Sequence, residues 1–464
     1  MLPFLTFDFR LLTYNVKRTP FYFLLLTFSF VFFSCSTQQR INSLATKSVL
    51  KDSTLSNAHV GISIYDPSTG KYLYSHNSDK FFVPASNIKI LSCYLGMKYL
   101  GDSLPGIKYA VTDKGVVLVP TGDPSLLHAE YKRQPVIDFL QKEQRPIFID
   151  NTIWKSEALG SGWSWDDYND YYMVERSSLP VYGNVIHWIQ EREEPAKYDS
   201  SQPDVSVSIY SSPEVNWKVR FNPDDNAKKF YVQRQKDENV FTITEGKELK
   251  KDQELPFVTH GIQSALELLK DTIGKEIIPT EQALTRNTKL QTIFSQPTDS
   301  LLKPMMHRSD NFYAEQVLLM VSGIRLGKLD DGKIIDSVLK SDFKDMPQSP
   351  VWADGSGLSR YNLFTPQDFV FVLDKMKTEF GMDRIKNLFS TGGSGTLGTY
   401  YKNDSASIYA KTGTLSGVVC LSGFLYTDKG KLLIFSFLVN NHHGSTAAIR
   451  RKVEDFILSI RHSY

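Results

Sequence analysis

Ser86 and Lys89 stand three residues apart at the start of a long apolar stretch of the chain. Residues at this spacing share one face of a helix, so the serine hydroxyl would lie beside the lysine ammonium. A serine hydroxyl is a weak nucleophile at neutral pH and needs a base, and a lysine acts as one only where burial or another cation lowers its pKa. The spacing therefore predicts an activated serine on a largely buried helix, which opens after Pro84 and ends near Gly101.

This spacing alone is not specific, because the chain repeats it five more times. The alternative interpretation of any such pair is a serine in the first turn of a helix and a lysine that extends its ammonium to solvent. Ser86 differs from the others because Pro84 precedes it, an apolar helix follows it and two partner motifs lie far downstream. The other pairs are Ser48/Lys51, Ser68/Lys71, Ser300/Lys303, Ser337/Lys340 and Ser341/Lys344.

The partner motifs are Ser309-Asp310-Asn311 and Lys411-Thr412-Gly413. Together with Ser86-x-x-Lys89 they form, in chain order, the three-motif set of class A β-lactamases and penicillin-binding proteins. From about residue 55 to the C-terminus, the chain resembles the D-alanyl-D-alanine carboxypeptidase/endopeptidase family of low-molecular-mass penicillin-binding proteins, which carry a large insertion between the first two motifs. The matching words are Pro304-Met305-Met306-His307-Arg308-Ser309-Asp310-Asn311-Phe312-Tyr313-Ala314-Glu315, Asp354-Gly355-Ser356-Gly357-Leu358-Ser359-Arg360, Ala410-Lys411-Thr412-Gly413-Thr414-Leu415, Gly122-Asp123-Pro124-Ser125-Leu126 and Gly162-Trp163-Ser164-Trp165-Asp166-Asp167.

The resemblance implies a role for each polar motif residue in an acyl-transfer reaction. Ser86 would attack the carbonyl of a terminal peptide bond while Lys89 takes its proton. The charge that develops on the carbonyl oxygen needs preorganised donors, which in this family are the backbone N–H groups of Ser86 and Thr414. Ser309 would relay a proton to the leaving amine, and Asn311 would hold a substrate amide and help to keep Lys89 in place.

Lys411, Thr412 and Gly413 are expected on a strand edge, where they suit a free carboxylate. The lysine and the hydroxyl would bind that carboxylate, and the glycine allows close approach of the backbone. Because it would bind a free C-terminal carboxylate, such a site indicates an exopeptidase more strongly than a protease that cleaves inside a chain. The resemblance implies a serine-type D-Ala-D-Ala carboxypeptidase that acts on peptidoglycan stem peptides, with cleavage of peptide cross-links as an open second activity and β-lactam antibiotics as covalent inhibitors.

Two other functions stay open beside the carboxypeptidase. A β-lactamase would share the motifs, but the sequence contains no Glu-x-x-Leu-Asn word, the signature of the deacylating glutamate in class A enzymes. A catalytically silent cell-wall-binding protein is disfavoured because no motif residue is missing.

His442 and His443 suggest a metal, but no carboxylate or cysteine spacing supports one, and we expect a loop there. Neither a metal nor a cofactor is expected.

Composition narrows the partners and the number of domains. The chain has 464 residues, too many for one core of usual size, so two or more domains are expected. Its 53 basic and 51 acidic residues nearly balance, which gives no reason to expect nucleic acid as a partner.

The first 35 residues differ from the rest and are predicted to be a signal peptide. Lys17 and Arg18 precede an apolar run over residues 21–33, which is short for a membrane span and suitable for a secretory segment. Cys35 follows this run and resembles the lipidated cysteine of a bacterial lipoprotein, although Phe32 and Phe33 depart from the usual leucine and small residue before it. Simple cleavage or an uncleaved anchor remain the alternatives. The sequence predicts a protein of the periplasm or cell envelope that reaches the membrane through its N-terminus only.

The remaining pattern predicts an α+β fold of the β-lactamase/transpeptidase type. Residues 36–57 are expected to form a tether with a first short helix. Residues 58–104 and 300–464 would form the catalytic domain, in which a hairpin near the start and three strands near the end build one antiparallel sheet with helices. Residues 105–299 would form a mostly β insertion of one or two subdomains.

Cys93 and Cys420 remain as a pair if Cys35 is lipidated. The first lies on the Ser86 helix and the second on the strand after Lys411, so both are expected near the core behind the site. A disulfide is conceivable in an oxidising compartment, but two free buried thiols are the expectation, because buried cysteine behaves as a small hydrophobe.

Overall fold

The structure is a computed structural model, and it describes residues 39–193, 206–224, 226–280, 284 and 288–464. The predicted signal peptide 1–35, with Cys35, lies outside these residues. No helix within the described ranges combines the length and the apolar character that crossing a bilayer requires.

The described chain contains strands and helices throughout. The strands are β1 (His59–Asp66), β2 (Lys71–His76), β3 (Ser103–Thr112), β4 (Gly115–Pro120), β5 (Ile147–Ile149), β6 (Val185–Arg192), β7 (Val207–Ser212), β8 (Lys218–Phe221), β9 (Tyr231–Arg234), β10 (Val240–Thr244), β11 (Lys250–Pro256), β12 (Ile277–Pro279), β13 (Gln291–Pro297), β14 (Ser390–Thr391), β15 (Ile408–Leu415), β16 (Val418–Tyr426) and β17 (Leu432–Asn440). The helices are α1 (Lys89–Tyr99), α2 (Pro135–Lys142), α3 (Gln263–Ile273), α4 (Thr298–His307), α5 (Asn311–Leu326), α6 (Asp331–Leu339), α7 (Pro366–Leu388) and α8 (Thr446–Ser463).

One six-stranded sheet joins the two ends of the described chain. Its strand order is β14-β15-β16-β17-β1-β2, and all neighbours pair antiparallel. Strands β16 and β17 are almost entirely buried on both faces, as their continuous apolar sequences require. The predicted α+β fold, with one antiparallel sheet built from both ends of the chain, is confirmed.

Helices cover both faces of this sheet. On one face, α1 packs against α5, α4 and α7, and its apolar residues are buried almost without exception. The other face carries α8 and a helical segment over residues 39–50. Ile41, Ala45 and Val49 of that segment are buried against the sheet. The described part of the predicted tether is therefore packed on the protein, because its apolar side chains recur at helical spacing.

Three smaller sheets lie between α1 and α4 in the chain. A five-stranded sheet has the order β12-β5-β4-β3-β13, and two three-stranded sheets have the orders β11-β6-β7 and β8-β10-β9. This region is mostly β, as predicted, but it also contains α2 and α3, which the sequence analysis did not predict. Both helices bury their apolar face against the five-stranded sheet.

The two cysteines that the structure describes, Cys93 and Cys420, are both buried and unpaired. Burial raises the pKa of both thiols far above the ordinary value, so they are unreactive hydrophobes. The prediction of free thiols is confirmed.

His442 and His443 follow β17 in a loop as predicted. No group of metal-binding side chains occurs in the part of the chain that the structure describes.

Candidate active site

Ser86 lies in a short 3₁₀ turn, Ala85–Ile88, that leads directly into α1. The sequence predicts that the α-helix itself begins there, but Ala85 has a φ of 48° and starts the turn in a left-handed conformation. Gly357 and Gly413 let neighbouring backbone approach this turn. A Cβ atom on Gly357 would lie 1.9 Å from the Ala85 carbonyl oxygen, and one on Gly413 would lie 2.7 Å from the Pro84 carbonyl oxygen.

Lys89 is completely buried beside Ser86. Its Nζ donates hydrogen bonds to Ser86 Oγ at 3.0 Å, Asn311 Oδ1 at 2.6 Å and the Ser356 carbonyl at 2.7 Å. Because burial removes water from the ammonium, the pKa of Lys89 falls to about 8, although the carboxylates of Asp354 and Glu315 oppose this shift. A pKa this close to neutral pH leaves part of the Lys89 population unprotonated, which suits a base that accepts a proton from the serine.

Ser309 and Asn311 flank the start of α5. Between them Asp310 caps the helix, since its side chain accepts a hydrogen bond from the Tyr313 amide at 2.9 Å. Ser309 has a φ of 63°, a strained conformation that turns the chain into the cap. Asn311 bonds Lys89 on one side and donates from Nδ2 to the Tyr172 carbonyl at 2.9 Å on the other.

Lys411 is also completely buried, on strand β15. Its Nζ donates to Ser309 Oγ at 2.9 Å and to the Thr412 carbonyl at 2.8 Å. Burial, together with the charges of Lys89 and Arg450, holds the pKa of Lys411 well below its usual range. The structure thus places two serine–lysine pairs next to each other, and each lysine contacts one serine hydroxyl.

The far edge of β15 is open beyond its first residues. Strand β14 pairs only with Tyr409 and Ala410, so no described strand pairs with the edge from Lys411 onward. Thr414 is exposed at this edge, and its hydroxyl accepts a hydrogen bond from Arg450 of α8. An unpaired edge presents free backbone N–H and C=O groups to a ligand.

A cleft of about 1010 Å³ opens in front of these groups. Four of the predicted site residues line it, namely Ser86, Ser309, Asn311 and Thr414. The lysines lie behind them. Thr412 and Gly413 do not line this cleft, and Thr412 instead borders a much smaller cavity with Arg450. The described inserted region supplies the opposite wall of the cleft through residues that include Tyr172 and Glu254.

Three buried groups around Lys89 had no role in the sequence analysis. The Ser356 carbonyl accepts from Lys89, and Glu315 Oε1 accepts from the Ser356 amide at 2.8 Å. Asp354 is fully buried and accepts four hydrogen bonds, from the Gly357 and Ser359 amides and from the side chains of Asn362 and Trp163. Their signal in the sequence is that all three residues stand within the matching words around the second motif and over residues 354–360.

Two serine–lysine pairs that meet between a helical layer and the edge of an antiparallel sheet define the class of active-site-serine enzymes to which penicillin-binding proteins and β-lactamases belong. The family model described as D-Ala-D-Ala carboxypeptidase 3 (S13) matches residues 43–459. Because this match spans most of the chain, the chain belongs to that family and is a D-Ala-D-Ala carboxypeptidase that acts on the peptidoglycan of the cell envelope.

The relatives agree with this family, and a solved structure agrees with the fold. A D-alanyl-D-alanine carboxypeptidase of Actinomadura sp. is 25% identical over 440 residues, which cover 85% of this chain and 80% of the relative. The D-alanyl-D-alanine carboxypeptidase DacB of Haemophilus influenzae is 24% identical over 442 residues, which cover 86% and 88% of the two chains. The crystal structure of penicillin binding protein 4 of Haemophilus influenzae has a TM-score of 0.69 at 19% identity and covers 90% of this chain and 97% of its own.

Proposed function

We propose that Ser86 is the nucleophile of the carboxypeptidase and that Lys89 is its general base. The observation that carries this proposal is the 3.0 Å hydrogen bond between the fully buried Lys89 Nζ and Ser86 Oγ, which lies at the wall of the cleft. Ser86 would attack the carbonyl between the two terminal D-alanines and form an acyl-enzyme as D-alanine leaves. Water would then hydrolyse this ester. The developing oxyanion would accept hydrogen bonds from the backbone N–H groups of Ser86 and Thr414.

The second serine–lysine pair would serve the leaving group and the substrate carboxylate. Ser309 contacts Lys411 and lines the cleft, which supports a role in passing a proton to the departing amine. Asn311 would hold a substrate amide while its oxygen orients Lys89. Lys411, with Thr412 and Gly413 on the same strand, would attract the terminal carboxylate. Thr412 borders the smaller cavity and does not line the cleft.

The substrate class we propose is the peptidoglycan stem peptide that ends in D-Ala-D-Ala. The cleft volume of about 1010 Å³ is at the upper end of ligand sites, which supports room for a branched or cross-linked peptide and so an additional endopeptidase activity. β-Lactams would acylate the same serine. A related structure of penicillin binding protein 4 from Haemophilus influenzae was solved with a β-lactam.

We further propose how the chain is divided and where it resides. Residues 58–104 and 300–464 would form the catalytic domain, and 105–299 the insertion. Residues 1–35 would direct export, and Cys35 would carry a lipid that attaches the enzyme to the envelope membrane.

Labelling with a fluorescent penicillin tests the nucleophile. We expect one labelled position, Ser86, and we expect Ser86→Ala to abolish both labelling and release of D-alanine from a D-Ala-D-Ala peptide. Ser300→Ala is the matched control, because Ser300 has the same spacing to Lys303, yet Ser300 bonds the Pro297 carbonyl and Lys303 bonds Asn387. Mass spectrometry that places the adduct on Ser300, or on any serine besides Ser86, would overturn the assignment.

A further inference from the structure

Arg176 is the largest fully buried side chain in the described structure, with 2% of its surface exposed. It belongs to the inserted region, where its guanidinium donates to the carbonyls of Glu157 and Leu159. Its Nη1 atom points the other way, toward two carboxylates of the helical layer. Nη1 lies 2.7 Å from Asp331 Oδ2 and 3.3 Å from Glu315 Oε2. One buried cation therefore joins the insertion to helices α5 and α6.

Glu315 continues this connection toward the catalytic lysine. Its second oxygen, Oε1, accepts from the Ser356 amide at 2.8 Å, and the carbonyl of the same Ser356 accepts from Lys89 Nζ at 2.7 Å. Two further contacts hold this loop: the preceding Gly355 packs on the α5 backbone, and its carbonyl accepts from Ser92 Oγ of α1 at 2.5 Å. A single residue, Ser356, thus separates the Glu315 carboxylate from the Lys89 ammonium.

We propose that Arg176 is a positioning residue of the reaction: it holds Glu315 as a carboxylate, and Glu315 in turn holds Ser356 under Lys89. The inserted region would therefore help to set the protonation state of the catalytic base. This inference rests on the proposed role of Lys89. It assigns Arg176 no contact with the substrate.

The charges around Lys89 determine in which direction its pKa shifts when Arg176 is removed. Burial and the neighbouring Asp354 raise the pKa of Glu315, and Arg176 lowers it. Without Arg176, Glu315 takes up a proton because an isolated buried carboxylate is unfavourable. Lys89 then loses one of the negative charges that raise its own pKa. The charged groups that face Lys89 are Asp310, Glu315, Asp354 and Lys411.

Two variants test this chain of contacts by the pH dependence of penicillin acylation at Ser86. In the unmodified enzyme, acylation should rise with pH as Lys89 loses its proton. A lower pKa of Lys89 moves this rise to lower pH, so we expect Arg176→Met and Glu315→Gln each to shift it by about one pH unit toward acid. Because both changes remove the same negative charge, the double variant should shift the profile no further than Glu315→Gln alone.

Arg234→Met is the matched control. Arg234 is equally buried in the inserted region, but its guanidinium donates only to carbonyl groups, those of Tyr168, Gln235, Lys236 and Pro256. Its loss should lower the stability of the protein and leave the pH profile where it is. If the role of Arg176 were merely structural, Arg176→Met would likewise lower the stability of the protein without moving the pH profile.

The outcomes separate this inference from the proposed function. If penicillin does not acylate Ser86 in the unmodified enzyme, the proposed function fails. If Ser86 is acylated and the profile of Glu315→Gln or Arg176→Met is unmoved or shifts toward alkaline pH, the role of Arg176 is refuted. Glu315→Gln keeps an oxygen for the Ser356 amide and leaves the Arg176–Asp331 pair intact, so an unmoved profile in this variant refutes the proposal even where Arg176→Met does not fold.

Discussion

The two lysines of the site carry buried ammonium groups whose hydrogen-bond acceptors are neutral. Lys89 donates to a hydroxyl, an amide and a carbonyl, and Lys411 to a hydroxyl and a carbonyl. Burial lowers the pKa of both, and the charges of Lys89 and Arg450 lower that of Lys411 further. A substrate carboxylate at the open edge of β15 would offset this excess of positive charge, which is a physical reason for specificity toward a free C-terminus.

Lys411→Ala is expected to weaken turnover selectively for substrates with a free carboxylate. A hydrogen bond to a charged group contributes roughly 1.5–3 kcal/mol. The value of kcat/KM for a D-Ala-D-Ala peptide should therefore fall about 10- to 100-fold more than that for a simple thioester without a carboxylate. Steady-state kinetics on the two substrates measures this difference.

Ser309→Ala is the comparison variant for this prediction. Ser309 contacts Lys411 but would act on the leaving group, so its loss should affect a carboxylate substrate and an amide lacking that carboxylate to similar extents. Equal losses on both substrates for Lys411→Ala would instead assign that lysine to the proton relay or to the packing of the site.

At the scale of elements, the serine turn depends on glycines in neighbouring segments. Gly357 has a φ of 83°, and a Cβ atom there would overlap the Ala85 carbonyl and approach the Ser86 amide. Gly357→Ala should displace the turn and strain the loop, which lowers the free energy of unfolding by about 2 kcal/mol or more. Penicillin acylation should fall at least as strongly, because the Ser86 amide is the proposed oxyanion donor.

Gly332→Ala provides the control for this change. Gly332 lies in helix α6 with open space around it and without a left-handed φ, so alanine should raise stability by up to about 1 kcal/mol and leave acylation unchanged. Urea unfolding and acylation rates measured on both variants decide the matter. Unaltered acylation in Gly357→Ala would show that the serine turn does not depend on this contact.

Elements with local signals were predictable from the sequence. Residues 66–70 form the turn of the hairpin expected near the start of the catalytic domain, and Thr365 caps α7 through a reciprocal pair of hydrogen bonds with Asp368. Gly381, with a φ of 73°, interrupts the helical backbone of α7 directly after Phe380, and a second helical segment continues to Leu388. Helices α2 and α3 were missed although their apolar residues recur at helical spacing in the sequence.

The site was predictable only as far as its motifs extend. The motif words predicted that Ser86, Lys89, Ser309 and Lys411 meet, and the structure brings these four together. The part played by Glu315 and Arg176 could not be inferred, since it follows from burial and from contacts between residues 139 positions apart. A charged side chain in a sequence is ordinarily a surface residue, and only the fold shows which ones are enclosed.

At the scale of the whole molecule, the inserted region leaves and re-enters the helical layer at one place. Strand β3 begins and β13 ends side by side, with Ser103 opposite Pro297, and the Thr298 amide donates to the Asp102 carbonyl at 2.9 Å. Because the two ends of the inserted region are adjacent, a long insertion can join the catalytic domain without separating the two chain segments that form it. The insertion then folds back on the cleft, where Trp163 donates to Asp354 at 2.9 Å.

The described structure begins with a segment that is packed on the folded protein. Its position limits the distance between the folded protein and a lipid on Cys35. The helical segment over 39–50 is packed on the sheet beside α8. Four residue steps from Cys35 to Gln39 span at most about 14 Å. A lipidated Cys35 would therefore hold the catalytic body close to the membrane surface.

Replacing the anchor residue tests this arrangement. Cys35→Ser should move the enzyme from the membrane fraction to the soluble fraction of the envelope, since stable attachment requires the apolar area of acyl chains. Its activity on a soluble D-Ala-D-Ala peptide should stay the same, because the site lies entirely in the folded body. Fluorescent-penicillin labelling of both fractions measures the change, with Ser36→Ala as the control that keeps the lipid. Retention of Cys35→Ser in the membrane would instead indicate an uncleaved anchor formed by the apolar run over 21–33.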